Sequence, residues 1–193
     1  MALAACVAGG AFAQNSVGGG GILNYGKPDL MTAGEDEMLS SAWQYGAFAF
    51  FDTGADSDDL IAAEFSIAIL TGPLTGSLAG EGSGDSKATI TALEFALLLS
   101  VPITINDSFI WYPIWGAGYN HVFSIKYENG EEGNKPSALS TIRIYLGVGG
   151  DYTLTEKLYL RGQLLGSYAF GLLGDSAIAG FGGTFKIGVG YRF

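Results

Sequence analysis

Gly180-Phe181-Gly182-Gly183-Thr184-Phe185-Lys186-Ile187-Gly188-Val189-Gly190-Tyr191-Arg192-Phe193 is the stretch on which the fold turns. Phe181, Phe185, Ile187, Val189, Tyr191 and Phe193 fall on one face of an extended chain; Gly182, Thr184, Lys186, Gly188, Gly190 and Arg192 fall on the other. A period of two with one apolar face and one small or polar face predicts a β-strand with unlike sides. Leu158 to Leu172 repeats it, with Leu158, Leu160, Leu164, Tyr168, Phe170 and Leu172 opposing Tyr159, Arg161, Gln163 and Ser167. In Thr141 to Tyr152, Ile142, Ile144, Leu146, Val148 and Tyr152 oppose Arg143, Tyr145 and Asp151.

Working back toward the start, Ala42 to Phe51 directs Trp43, Tyr45 and Phe51 outward and Gln44 inward. Leu60 to Leu70 directs Ile61, Phe65, Ile67 and Ile69 outward, with Glu64 and Ser66 inward. Thr89 to Leu99 sends Leu93, Phe95, Leu97 and Leu99 outward and Glu94 inward. Phe109 to Ile125 contains Pro113, which lacks an N–H and demands a bulge or a break in pairing, so its parity stays open. A first strand is expected near Ser16 to Gly26, through the run Gly18-Gly19-Gly20-Gly21. Connections near residues 27–41, 72–88 and 127–136 are long or polar, and those near 52–59, 100–108 and 153–156 are shorter. Short turns at one end and longer loops at the other suit a transmembrane barrel.

Composition points the same way. Hydrophobic residues make up 48 % and charged residues only 15 %, thin for a water-facing surface. No apolar run reaches the roughly 18 residues that a spanning helix needs. Strands can cross a membrane only when closed on themselves, because every backbone polar group must be satisfied within the protein. The expected fold is therefore all-β: a closed antiparallel up-and-down transmembrane barrel of about eight strands, one domain over residues 15–193. A soluble sandwich would hide its apolar face; here the polar face is mostly Gly, Ala, Ser and Thr, as a narrow filled lumen requires.

Residues 1–14 read as a truncated signal peptide, with Ala11-Phe12-Ala13 before Gln14 as the cleavage pattern. The alternative takes Leu3-Ala4-Ala5-Cys6 as a lipoprotein box, with Cys6 lipidated. Either implies export. A net charge of −10 excludes nucleic acid as a partner, since phosphate binding needs clustered Lys and Arg. Acidic runs at Glu35-Asp36-Glu37, Asp56 with Asp58 and Asp59, and Glu128 with Glu131 and Glu132 read as solvated loops, with an unidentified surface ligand as a further expectation.

The ending Gly190-Tyr191-Arg192-Phe193 resembles the C-terminal assembly signal of bacterial outer-membrane barrels. Tyr112-Pro113-Ile114-Trp115-Gly116-Ala117-Gly118-Tyr119 and Leu158-Tyr159-Leu160-Arg161-Gly162 are similar to stretches of small spirochaetal outer-membrane barrels. The resemblance covers the chain from Phe109 onward and is weaker before it. It implies the outer membrane as location, its lipid and the barrel-assembly machinery as partners, and Tyr191 and Phe193 as the assembly signal. It assigns no activity.

The inward charges Glu64, Glu94, Arg143, Arg161, Lys186 and Arg192 form the candidate site. An unpaired charge in a confined lumen is costly, so acids and bases should meet across it, either as a fixed plug or as a gate for small solutes. Trp43, Tyr45, Trp111, Tyr119, Tyr168 and Tyr191 are assigned to the aromatic girdles. Asp52-Thr53-Gly54 looks like an aspartic-protease triplet, but that chemistry needs two such carboxylates, and this single copy falls where a turn is expected. Asp52, Asp56, Asp58 and Asp59 do not make an EF-hand, because its twelfth position would be Ala63. His121 is the only histidine; Ser124 should face the opposite side of its strand and Glu128 lies in a loop. No catalytic residue, metal or cofactor is expected. The leading expectation is a structural or solute-passing barrel with a narrow charged lumen. Binding through acidic external loops is the alternative, and a membrane-embedded lipid enzyme stands behind both.

Overall fold

The computed structural model describes residues 15–31, 42–54, 61–76, 86–128, 132, 140–171 and 177–193. Residues 1–14, with their export and lipidation readings, lie outside them, as do the acids at 35–37, 56, 58 and 59.

The strands are β1 (Ser16–Met31), β2 (Ala42–Asp52), β3 (Ala62–Gly76), β4 (Ser86–Ser100), β5 (Ile103–Asn106), β6 (Phe109–Tyr127), β7 (Thr141–Thr153), β8 (Leu158–Gly171) and β9 (Ala177–Arg192). All pair antiparallel; β1 joins β9, and β4 joins β6, so the sheet closes. β5 continues β4 in the same register along β6: Ser100 faces Ile114 and Ile103 faces Trp111. The break at Val101-Pro102 divides one long strand, leaving eight staves. The connection expected over 100–108 is thus mostly strand, reversing at Asp107-Ser108.

Alternation sorts the side chains. Leu146, Leu164 and Phe181 are 71 %, 61 % and 72 % exposed, whereas Glu94 and Lys186 are 2 % and 1 % exposed. Apolar residues face outward and charged ones inward, the reverse of a water-soluble domain and the arrangement that lipid selects. Trp43, Tyr45, Tyr168 and Tyr191 are exposed. Tyr25 lies 4.8 Å from Trp43, and Phe181 lies 5.0 Å from Tyr168. The lumen is the core. One apolar cluster lines β1 to β3, with Ile22, Phe48, Phe50 and Leu70; another lines β4 and β6 to β8, with Leu98, Ile114, Tyr145 and Leu165.

Three local features depart from the sequence reading. β1 runs five residues past Gly26 and includes the whole glycine run. Inward glycines here are sockets: a Cβ on Gly18 would strike the Phe50 ring, one on Gly149 the Tyr112 ring, and one on Gly190 the Tyr159 ring. Pairing with β7 passes unbroken through Pro113, which faces Val148. On its other side Pro113 falls opposite the Val101-Pro102 break, where the neighbouring strand is already interrupted. The bulge lies ten residues on: Ala92 faces Val122 and Thr91 faces Ser124, leaving Phe123 extra and exposed. That insertion switches the parity, so that Val122 and Ile125 are both buried inside.

Candidate functional site: a charged lock across the lumen

Arg161 is the hub. It sits on β8 facing inward, 4 % exposed, level with the ends of β2, β3 and β7. Its Nε and Nη2 donate to the two oxygens of Asp151 at 2.9 and 2.8 Å. Nη2 also donates to Asp52 at 2.7 Å, and Nη1 to Glu64 at 2.9 Å. Three carboxylates from three strands thus converge on one planar guanidinium, whose fixed fork of donors suits bidentate capture. The rings of Phe50, Tyr159 and Tyr112 lie 4.7, 5.1 and 5.6 Å from its carbon and exclude water. Tyr112 donates its hydroxyl to Asp151 at 2.8 Å.

Lys186 supplies a second cation, with Nζ 3.1 Å from Ser66 Oγ and 3.8 Å from Glu64 Oε1. Gln163 donates to the other Glu64 oxygen at 2.7 Å. Nearer the opposite end, Arg143 meets Glu94 at 3.0 Å. Arg192 is not drawn into an ion pair among the described residues. Its guanidinium lies over the Tyr159 ring at 4.6 Å and reaches Thr153 Oγ1 at 3.4 Å. It lines, with Arg161, Asp52 and Asp151, a cavity of about 50 Å³ at the end where the short turns lie. A water occupies about 30 Å³ in the liquid, so that space is too small for a sugar.

The lumen carries four acids (Asp52, Glu64, Glu94 and Asp151) and four bases (Arg143, Arg161, Lys186 and Arg192) among the described side chains, and so is neutral. The net −10 lies wholly outside this set.

The structure brings Glu64, Glu94, Arg143, Arg161 and Lys186 together in pairs. Asp52 was misplaced by the sequence reading, which left it in a turn. It is the last residue of β2, 8 % exposed and bonded to Arg161. Counting on in twos from Gln44 through Phe48 and Phe50 would have put it inside. The turn begins after it: Gly54 adopts φ 66° and donates its N–H to Asp52 Oδ1 at 2.9 Å. The Asp52 carboxylate is thus committed to Arg161 and to the turn, while Asp56, Asp58 and Asp59 lie outside the described residues. Asp151 was read as inward but not joined to Arg161, and Tyr112 was lost to the unresolved parity at Pro113. The bulge at Phe123 turns Ser124 to the same outward face as His121, against the expected alternation, yet His121 Nδ1 lies 3.3 Å from the Ser140 hydroxyl and 3.4 Å from that of Tyr119.

Removing the charge of Glu94 leaves Arg143 without an acid. Glu94→Gln should cost about 1–3 kcal/mol, and adding Arg143→Gln should recover part of it. Denaturant unfolding of the folded barrel in detergent reads the cycle; strictly additive losses would show that the two groups act independently.

The chain matches the family model described as the outer membrane protein beta-barrel domain over residues 1–193. No curated protein matches it. Among solved structures, the outer membrane protein OprG from Pseudomonas aeruginosa shares 18 % identity at a TM-score of 0.59, covering 95 % of this chain and 98 % of that one. Ail, the attachment invasion locus protein of Yersinia pestis, shares 16 % at a TM-score of 0.48, covering 93 % and 99 %. The likeness is one of fold. A closed barrel, apolar outside and charged within, that matches this family along its whole length is a protein of the bacterial outer membrane, and the chain belongs to the outer membrane protein beta-barrel family.

Proposed function

We propose that the protein is a barrel closed at rest by Arg161, which passes small polar solutes only when the pairs around that arginine exchange, and that it performs no catalytic chemistry. The observation that carries this reading is a seam of buried polar groups leading to the lock. Both amide atoms of Asn24, Oε1 of Gln163 and Oε1 of Glu64 are buried without a protein hydrogen-bond partner among the described residues, as are Asn120 Oδ1 and the Tyr145 hydroxyl on β6 and β7. Asn24 stands beside Gln44 and Thr184, and Gln163 beside Lys186, so the seam runs down one wall to Arg161. Buried polar groups that no described protein atom satisfies call for water or a solute as their partner, since an unmade bond costs about 1–3 kcal/mol. Groups able to bond a passing solute are what a narrow polar path needs.

The spirochaetal kinship belongs to this proposal: the two similar stretches contribute Tyr112, Tyr159 and Arg161 to the lock. Recognition of Tyr191 and Phe193 by the assembly machinery belongs to it as well, and both side chains are exposed on the lipid face. A second reading, binding of a surface partner through acidic loops, is favoured by the placement of the net charge outside the neutral lumen.

Solute uptake tests the first reading. Liposomes carrying the protein should take up labelled arabinose slowly, yet faster than empty liposomes. Uptake equal to that of empty liposomes would exclude passage, and uptake as fast as through an open porin would exclude closure at rest.

A further inference from the structure

The outer wall of the barrel is bulky along much of its height, and one of the places where it is shallower lies over β3 to β7. Cross-strand register sets Phe65, Leu97 and Ala117 side by side across β3, β4 and β6, and in the next row Ile67, Phe95 and Tyr119. Ala117 is the small member of the first row. The result is an apolar groove of about 590 Å³ on the lipid-facing side, spanning β3, β4, β6 and β7.

A polar group stands at the end of this groove nearer the longer loops. His121 is two residues beyond Tyr119 on the same outward face. Its Nδ1 lies 3.4 Å from the Tyr119 hydroxyl and 3.3 Å from that of Ser140. Ser140 Oγ accepts the N–H of Val122 at 3.1 Å and still holds its own proton, which can be donated to Nδ1. An imidazole whose Nδ1 accepts carries its proton on Nε2. His121, half-buried, thus places an imidazole on a face otherwise built for hydrocarbon, and the tautomer protonated at Nε2 offers an N–H donor there. In the next row toward the loops, Thr71 faces Thr91 across β3 and β4.

A shallow apolar groove that ends beside an imidazole at the edge of the apolar band fits one class of occupant. We propose that this face binds a single glycerophospholipid, with an acyl chain lying over Ala117 and a headgroup phosphate oxygen accepting from His121 Nε2. Where the bilayer limits water, a donor is best satisfied by an acceptor that the membrane itself supplies. Inside the bilayer the acyl chain gains packing contacts in the groove, and the phosphate selects headgroup and depth.

Native mass spectrometry of the folded protein in mild detergent, titrated with dipalmitoyl phosphatidylglycerol, tests this. The expected result is one saturable adduct. Ala117→Phe, which fills the groove with a residue typical of its row, should abolish it. His121→Phe, which keeps an aromatic ring but removes the donor, should weaken it about tenfold, or 1.4 kcal/mol. Dipalmitoylglycerol, which lacks the phosphate, should bind the wild type no better than phosphatidylglycerol binds His121→Phe. Heat-modifiable mobility on SDS gels verifies that each variant is folded. A ladder of adducts insensitive to both substitutions, equal binding of the phosphate-free lipid, or a protein dimer that Ala117→Phe disrupts would each overturn the proposal.

Discussion

Replacing Arg161 with Met should lower the stability of the barrel by about 3–5 kcal/mol, the loss expected when one member of a buried ionic cluster is removed and its partners stay. The substitution preserves an unbranched side chain and most of the volume, so the effect reports charge more than packing. Asp52, Glu64 and Asp151 would be left with Lys186, 3.8 Å from one oxygen of Glu64, and with Arg192 on the wall of the cavity that Asp52 and Asp151 line. Neutralising the acids too, with Asp52→Asn, Glu64→Gln and Asp151→Asn, should restore much of the stability, because desolvated charges would no longer face one another unpaired. Reversible urea unfolding in lipid vesicles measures both. An equal loss in the fourfold variant would locate the energy in the stacking of Arg161 against Phe50, Tyr112 and Tyr159.

Leu146→Arg is expected to cost about 2–4 kcal/mol, the penalty for a cation on the lipid face near mid-bilayer. Leu146 is 71 % exposed at the middle of β7, where it faces Trp115 on one side and Gly166 on the other. In water such an exposed position would tolerate Arg to within about 0.5 kcal/mol, so the size of the change distinguishes lipid from solvent outside the barrel. The same unfolding assay applies, and a change below that level would deny the membrane assignment.

Much of this architecture is legible by counting in twos. β7, β8 and β9 show unlike faces without interruption, and their inward Arg143, Arg161 and Lys186 follow directly. Legibility fails where a local device breaks the count. The bulge at Phe123 has no sequence marker, since Phe123-Ser124-Ile125 alternates as well outside as in, and only the buried Ile125 reveals the switch. Pro113 draws attention to the wrong place because its missing N–H falls where the neighbouring strand is interrupted. Asp52 was hidden by company: the acids that follow it read as a loop, and the end of a strand is the least certain part of any such count. The role of inward Gly18, Gly149 and Gly190 stays hidden until the rings of Phe50, Tyr112 and Tyr159 are in place, because a socket is defined by the residue that fills it. The partners of a buried charge depend on which strands face each other across the lumen, and pairing Glu64 with Arg161, 97 residues away, requires the closed barrel.

Single-channel recording of wild type beside Arg161→Ala in planar bilayers tests the central claim most directly. A lumen shut by Arg161 should give long closed intervals with brief, small openings in the wild type. The alanine variant should show a lasting increase in open time, since it removes both the charge and the side chain that bridges three strands. A wild type that conducts steadily, or an Arg161→Ala variant that folds yet records identically to it, would contradict the lock.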